Sequence, residues 1–89
     1  LYTWILAELN NTLQHFLEQS KYCGDKYLLS ESKEKALLTC SDLCYRTSNC
    51  QEFLFDYSRL QKCYLYKEVC NDGNSELPEH HYIFRKKTV

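Results

Sequence analysis

Several residues and patterns are scarce in this chain of 89 residues, and each shortage excludes a class of protein. Only two glycines and one proline occur, so the chain is neither a flexible linker nor a disordered tail. The 11 basic residues are balanced by 12 acidic ones, whereas a nucleic-acid binder needs a strong positive field. The most apolar stretch, residues 1–9, is too short to span a membrane and carries Glu8. We therefore expect no nucleic-acid partner and no transmembrane segment.

The patterns of metal sites and catalytic sites are also missing. No C-x-x-C pair occurs, and the adjacent His80 and His81 would point to opposite faces of a strand. A nucleophile would need a base and an orienting group, and neither these histidines nor His15 has an evident partner. We expect no metal, no cofactor and no enzymatic activity. The chain also lacks methionine, and no basic segment precedes an apolar run, which is typical of a mature fragment.

Cysteine is the residue in which the sequence is rich. Six cysteines in so short a chain are typical of a disulfide framework, which persists in oxidising compartments. We therefore expect an extracellular domain, either secreted or part of a cell-surface ectodomain. Six cysteines allow many pairings, and their spacing alone does not select one.

Residues 1–20 have the pattern of an amphipathic helix. Ile5, Leu9, Leu13 and Phe16 recur at helical spacing, and polar residues lie between them. This apolar side either packs on the domain or meets a partner or a second copy, which would make a homodimer. Asn10 begins the sequence Asn-Asn-Thr, an acceptor for N-glycosylation in a secretory chain.

A turn is predicted at residues 23–25 and a short extended run at residues 27–29. A second helix is predicted from about residue 33 to residue 46. Ser30 and Ser32 are candidate N-caps, and the spacing of Cys40 and Cys44 places both thiols on one face. Beyond Cys50 the apolar period changes from helical to alternating, which predicts strands.

Three strands are predicted in the second half of the chain. In the first, Phe53, Phe55 and Tyr57 share one face, and residues 58–60 connect it to a strand over 61–67. There Tyr64 and Tyr66 point away from Cys63, and they are either packed beneath the N-terminal helix or exposed for binding. A polar loop follows at residues 71–75, and the last strand covers residues 80–85. The alternation places Tyr82 and Phe84 inward.

The spacing Cys40-x3-Cys44-x5-Cys50, within TCSDLCYRTSNCQEFLF, followed by Cys63 within KCYLYKE, resembles the PAN/apple family. That family includes the apple modules of plasma prekallikrein and coagulation factor XI, the N-terminal domains of plasminogen and hepatocyte growth factor, and apicomplexan micronemal adhesins. The resemblance implies a disulfide-rich α+β domain with an antiparallel sheet crossed by one helix. It also implies the bridges Cys40–Cys63 and Cys44–Cys50, and Cys23 is then left for Cys70. We expect this domain over residues 21–89, with the helix of residues 1–20 as an addition.

The resemblance further implies a recognition module that binds a protein or a glycan, as in adhesion, within a larger secreted or surface protein. The alternative is a free-standing secreted ligand or inhibitor that docks or dimerises through its N-terminal helix. Recognition usually lies on loops held by a rigid scaffold, which favours the loop of residues 71–80. The basic run of residues 85–87 is either a heparin-binding edge or a solvated strand end. The predicted contact residues are Tyr66, Glu76, Glu79, His80 and Arg85.

Overall fold

A computed structural model describes residues 12–70 and 75–87. Its regular elements, in chain order, are β1 (Phe16–Gln19), β2 (Lys21–Tyr22), β3 (Leu28–Lys33), α1 (Leu37–Arg46), β4 (Glu52–Asp56), β5 (Lys62–Tyr66), β6 (Ser75–Glu76) and β7 (His81–Lys86). Among the described residues, no helix has the length and apolar character needed to cross a membrane.

Five of the strands form one antiparallel sheet in the order β1-β7-β4-β5-β3. The short strands β2 and β6 pair separately. In the middle of the sheet, Phe53 of β4 lies opposite Leu65 of β5 and Phe84 of β7. The predicted antiparallel sheet with one crossing helix is confirmed for the part of the chain that the structure describes.

The main core lies between α1 and the face of the sheet that carries Phe53, which we call the helix face. The Phe53 side chain is fully buried, edge-on to Phe16 with ring centroids 5.0 Å apart and stacked on Phe84 at 5.3 Å. Aromatic pairs in such arrangements add to the free energy gained by burial alone. Phe53 therefore connects the edge strand β1, the central strand β4 and β7.

The disulfides are the three that were predicted. Cys40–Cys63 joins α1 to β5, Cys44–Cys50 closes the end of α1, and Cys23–Cys70 joins the loop after β2 to the loop after β5. Because the first two bridges are fully buried, they fix which side of α1 and which side of β5 face each other.

The helix α1 is shorter than predicted at its N-terminus. It begins at Leu37 rather than near residue 33, with Ala36 in the N-cap position and no side-chain cap. The predicted caps Ser30 and Ser32 lie in β3 instead, where residues 28–33 pair with β5. Their backbone groups are used in the sheet, so the predicted capping role was wrong.

The N-terminal helix prediction has two outcomes. Residues 1–11, including Asn10, Ile5 and Leu9, lie outside the described residues. The last part of the predicted helix, Phe16–Gln19, is the edge strand β1, paired with β7. Phe16 is 5% exposed, whereas Leu17 and Glu18 are exposed, so Phe16 is the one buried position of this strand. The predicted burial of Phe16 is thus confirmed in a different element.

In β7 the predicted orientation is confirmed for Phe84 and only partly for Tyr82. Phe84 belongs to the main core, whereas Tyr82, on the same side, is 38% exposed. Ile83, which points the other way, is fully buried. Side chains on both faces of β7 are therefore buried. The alternation in the sequence does not show whether one face or both faces of a strand are buried.

Candidate functional site

The sheet has a second packed face, opposite the helix face, which we call the reverse face. Side chains of a strand alternate between the two faces, so Leu54, Tyr66 and Ile83 point away from α1 and form a second buried cluster. Tyr27 and Leu77, from the segments around the Cys23–Cys70 bridge, pack against this cluster. These two segments cover only part of the reverse face, and the rest of this face is open.

The open part of the reverse face forms a groove of about 240 Å³. Leu54 and Tyr66, each 5% exposed, belong to its lining and supply apolar surface. The rest of the lining comes from separate elements and is mostly polar: Asp25, Glu31, Tyr64 and His81. We call this site the reverse-face groove.

At one side of the groove, His81 lies between two acceptors. Its Nδ1 is 2.7 Å from the carbonyl oxygen of Glu79, and its Nε2 is 3.7 Å from Oδ2 of the buried Asp56. Burial raises the pKa of Asp56, but hydrogen bonds from Ser58 and the charges of the two neighbouring histidines lower it more. The net pKa lies below the ordinary value, so this buried carboxyl is an anion at neutral pH.

The other side of the groove contains an exposed ion pair. Nζ of Lys62 donates a hydrogen bond to Glu31, and this raises the pKa of Lys62. Burial, followed by the charge of Glu31, raises the pKa of Tyr64. The Tyr64 hydroxyl is therefore protonated at neutral pH and can donate a hydrogen bond.

Three of the predicted contact residues, Glu76, Glu79 and His80, are exposed. The segment was predicted as an irregular loop, but Ser75–Glu76 is the strand β6, paired with β2. His80 has a left-handed backbone conformation with φ of 66°. Its carbonyl accepts the N–H of Tyr57 at 2.8 Å, and its ring lies edge-on to that of Tyr57 at 5.4 Å. This end of the segment is held in place beside the groove.

The other two predicted contact residues have packing roles. Tyr66 was predicted to be either packed or exposed, and its role as a contact residue required exposure. Its 5% exposure contradicts that role. Arg85 is half-buried and points to the reverse face, where Nη2 donates to the carbonyl of Cys70 at 2.8 Å and Nε lies 3.4 Å from the buried Glu52. The guanidinium therefore ties β7 to β4 and to the Cys23–Cys70 bridge.

In the basic run of residues 85–87, the side chains of Arg85 and Lys86 are half-buried and not fully solvated. Lys86 is half-buried, its Nζ donates to the carbonyl of Cys44 at 3.2 Å, and burial lowers its pKa. With Arg85 bound to Glu52 and Cys70, only Lys87 of this run is exposed. This arrangement does not provide the continuous basic edge that a heparin site would need.

Of the residues that line the groove, Tyr66 was a predicted contact residue and Tyr64 was predicted to be either packed or exposed for binding. The other four were not predicted as contact residues: Asp25, Glu31, Leu54 and His81. Asp25 lies in a turn after Cys23, and no role beyond that turn was predicted for it. Glu31 was placed between the two candidate N-caps of a helix, so its position on a sheet face could not be foreseen. No pattern in the sequence places Glu31 in the groove, because its position follows from the pairing of β3 with β5, in which Glu31 lies opposite Tyr64.

The comparisons with known proteins concern the fold. No protein-family model matches the sequence, and no curated protein matches it. The solution structure of a PAN module from Eimeria tenella is similar, with a TM-score of 0.52 and 19% sequence identity over 85% of this chain and 81% of that one. The chain therefore has the fold of a PAN module, as the resemblance of its cysteine spacing implied.

Proposed function

We propose that this chain is an extracellular recognition module that binds a protein or glycan partner as part of a larger secreted or surface protein. The observation that carries the proposal is the reverse-face groove, which lies beside the exposed residues Glu79 and His80 on a scaffold fixed by three disulfides. A pre-organised surface loses little conformational entropy on binding. The PAN fold supports a binding role, and the disulfides support an oxidising location.

The anchoring of the segment between Cys70 and β7 also supports the proposal. Cys70 holds the start of the segment through its bridge to Cys23, and the Tyr57 N–H holds its end through the His80 carbonyl. Glu76, Glu79 and His80 remain exposed between these anchors. Exposed side chains on a segment that is held at Cys70 and at His80 are suited to meet a partner.

The test uses a glycan array and a peptide display library, each probed with the intact oxidised chain. For any ligand found, we expect the variant Glu76→Ala/Glu79→Ala/His80→Ala to bind at least about fivefold more weakly, which corresponds to about 1 kcal/mol. Glu18→Ala is the control, because Glu18 is exposed on the edge strand β1 and lies outside the site.

Two results would count against the proposal. If the triple variant keeps wild-type affinity and an unchanged melting temperature, the segment is not part of the binding surface. If no ligand in either library binds the oxidised chain above the level of its reduced, unfolded form, a role in recognition loses its support.

A further inference from the structure

The reverse-face groove has an excess of negative charge. Asp25 and Glu31 are exposed at its rim, and Asp56 lies behind His81. Lys62 already donates to Glu31, and no lysine or arginine is among the residues that line the groove in the described part of the chain. A ligand that brings its own positive charge would therefore meet a favourable field, whereas an acidic ligand would be repelled.

The lining of the groove combines this charge with apolar and aromatic surface. Leu54 and Tyr66 are buried in the lining, and Tyr64 is half-buried next to Glu31. Long basic side chains have the complementary character, since their alkyl stems pack on apolar surface while their charged heads reach carboxylates. Cations are also attracted to the faces of tyrosine rings.

The size of the groove limits what can enter. Its volume of about 240 Å³ is below the range of pockets that hold drug-sized ligands, roughly 300–1,000 Å³. One long side chain fits such a volume better than several sugar rings or a folded segment.

We propose that the reverse-face groove binds a single arginine or lysine side chain of a protein partner. The charged head group lies between the carboxylates of Asp25 and Glu31, and the stem lies along Leu54 and Tyr64. The inference deepens the proposed function and rests on it, because it names the partner as a protein and its anchor as a basic side chain.

The charge of the groove argues for this partner over a glycan. A neutral sugar could donate hydroxyl hydrogen bonds to Asp25 and Glu31, but it would gain no charge pairing from them. A sulfated glycan would bring negative charge to a negative groove. A cation gains charge pairing from the carboxylates and is also attracted to the face of the tyrosine ring.

The experiment titrates the isotope-labelled oxidised chain with the peptide acetyl-Gly-Arg-Gly-amide and follows amide chemical shifts by NMR. The matched ligand is acetyl-Gly-citrulline-Gly-amide, which has nearly the same shape and no charge. We expect the arginine peptide to shift the amides of Leu54, Tyr64 and His81 with a Kd of about 1 mM, as is usual for a single anchoring side chain. The citrulline peptide should bind several-fold more weakly.

Substitutions that each remove one charge test whether charge is responsible for the binding. Asp25→Asn should weaken binding of the arginine peptide by about two- to fivefold, which is the effect of one exposed charge pair. Glu18→Gln should leave the affinity for this peptide unchanged. Lys62→Gln should strengthen binding by a similar factor, because it releases Glu31 from its present partner. Lys35→Gln, at an exposed position before α1, is the matched control for this gain.

Equal shifts with the arginine and citrulline peptides, or no shift at millimolar concentration, would overturn the inference. Binding of a neutral sugar at the same amides, unaffected by Asp25→Asn, would show that the groove takes a glycan instead. Neither result would reject the proposed function, which fails only if the oxidised chain has no ligand or binds none through the segment of residues 76–80. The two proposals are therefore tested separately.

Discussion

The substitution Arg85→Ala should destabilise the fold in a way that depends on pH. The buried side chain of Glu52 is 2% exposed and receives the N–H of Cys70 and the guanidinium of Arg85. Removing one partner of a buried ion pair typically costs about 3–5 kcal/mol. Arg85 is 30% exposed and its Nε–Oε2 distance is 3.4 Å, so solvent screens part of this interaction. We therefore expect the free energy of unfolding to fall by about 2–3 kcal/mol near neutral pH.

The pH dependence follows from the titration of Glu52. Burial raises the pKa of Glu52, and the Cys70 N–H and Arg85 oppose that rise. Without Arg85 the folded-state pKa rises further, so the folded variant binds a proton more readily than the unfolded chain does. A raised carboxyl pKa means that stability falls as the pH rises from the unfolded-state pKa through the folded-state pKa. The cost of Arg85→Ala should therefore be smallest in acid and largest near neutral pH.

Urea unfolding, followed by circular dichroism near pH 4 and near pH 7, measures this difference. Near pH 4 the loss of unfolding free energy should be only about 1 kcal/mol, because only the hydrogen bond from Arg85 to the Cys70 carbonyl is then lost. Arg46→Ala is the control, because Arg46 is 72% exposed and pairs with Asp42 along α1, an interaction of about 0.5 kcal/mol or less. In a Glu52→Gln background, Arg85→Ala should lose its pH dependence. An equal cost at both pH values would refute this account of the Glu52–Arg85 pair.

Two further predictions concern the core and the bridges. Phe53→Ala should lower the free energy of unfolding by about 3–5 kcal/mol, which is a large part of the total stability of a domain this small. Leu60→Ala, at a site that is 60% exposed, should change it by less than about 0.5 kcal/mol. Urea midpoints decide this, and similar midpoints for the two variants would contradict the packing described for Phe53. Replacing Cys40 and Cys63 with alanine should cost more than replacing Cys44 and Cys50, about 3 against about 2 kcal/mol, because the closed loops span 23 and 6 residues. Thermal melts of the two double variants test the order, and a reversed order would show that loop entropy does not dominate.

The sequence predicted the central part of the fold because two independent patterns agree there. Alternation at residues 52–57 separates Phe53 and Phe55 from Leu54, and the structure places the two sets on opposite faces. The resemblance to the PAN/apple family adds a constraint, since it implies the bridge Cys40–Cys63, and Cys63 must then face the helix that carries Cys40. The orientation of Tyr64 and Tyr66 toward the reverse face follows from that constraint alone.

The edge strand β1 was missed, and β3 was predicted only as a short extended run over residues 27–29, for a physical reason. An edge strand needs few buried side chains, and β1 buries Phe16 while Leu17 and Glu18 are exposed. Four residues with one buried position fit a helical period as well as a period of two. In β3 the residues Ser30, Glu31 and Ser32 have the composition of a helix N-terminus. Pairing with β5 overrides this local preference, and sequence periodicity contains no information about that pairing.

The groove could not be predicted for a related reason, which is that it depends on the order of the strands. Glu31, Tyr64, Leu54 and Ile83 form one row across four strands, and Asp56 lies opposite His81 at its side. Each of these residues is in a different part of the sequence, and a shift of register by one residue would turn a whole strand to the other face. The Cys40–Cys63 bridge fixes the orientation of β5, and β5 then brings Glu31 and Leu54 to opposite sides of Tyr64. The disulfide that stabilises the core thus also determines which side chains meet at the candidate site, although it contributes no atom to it.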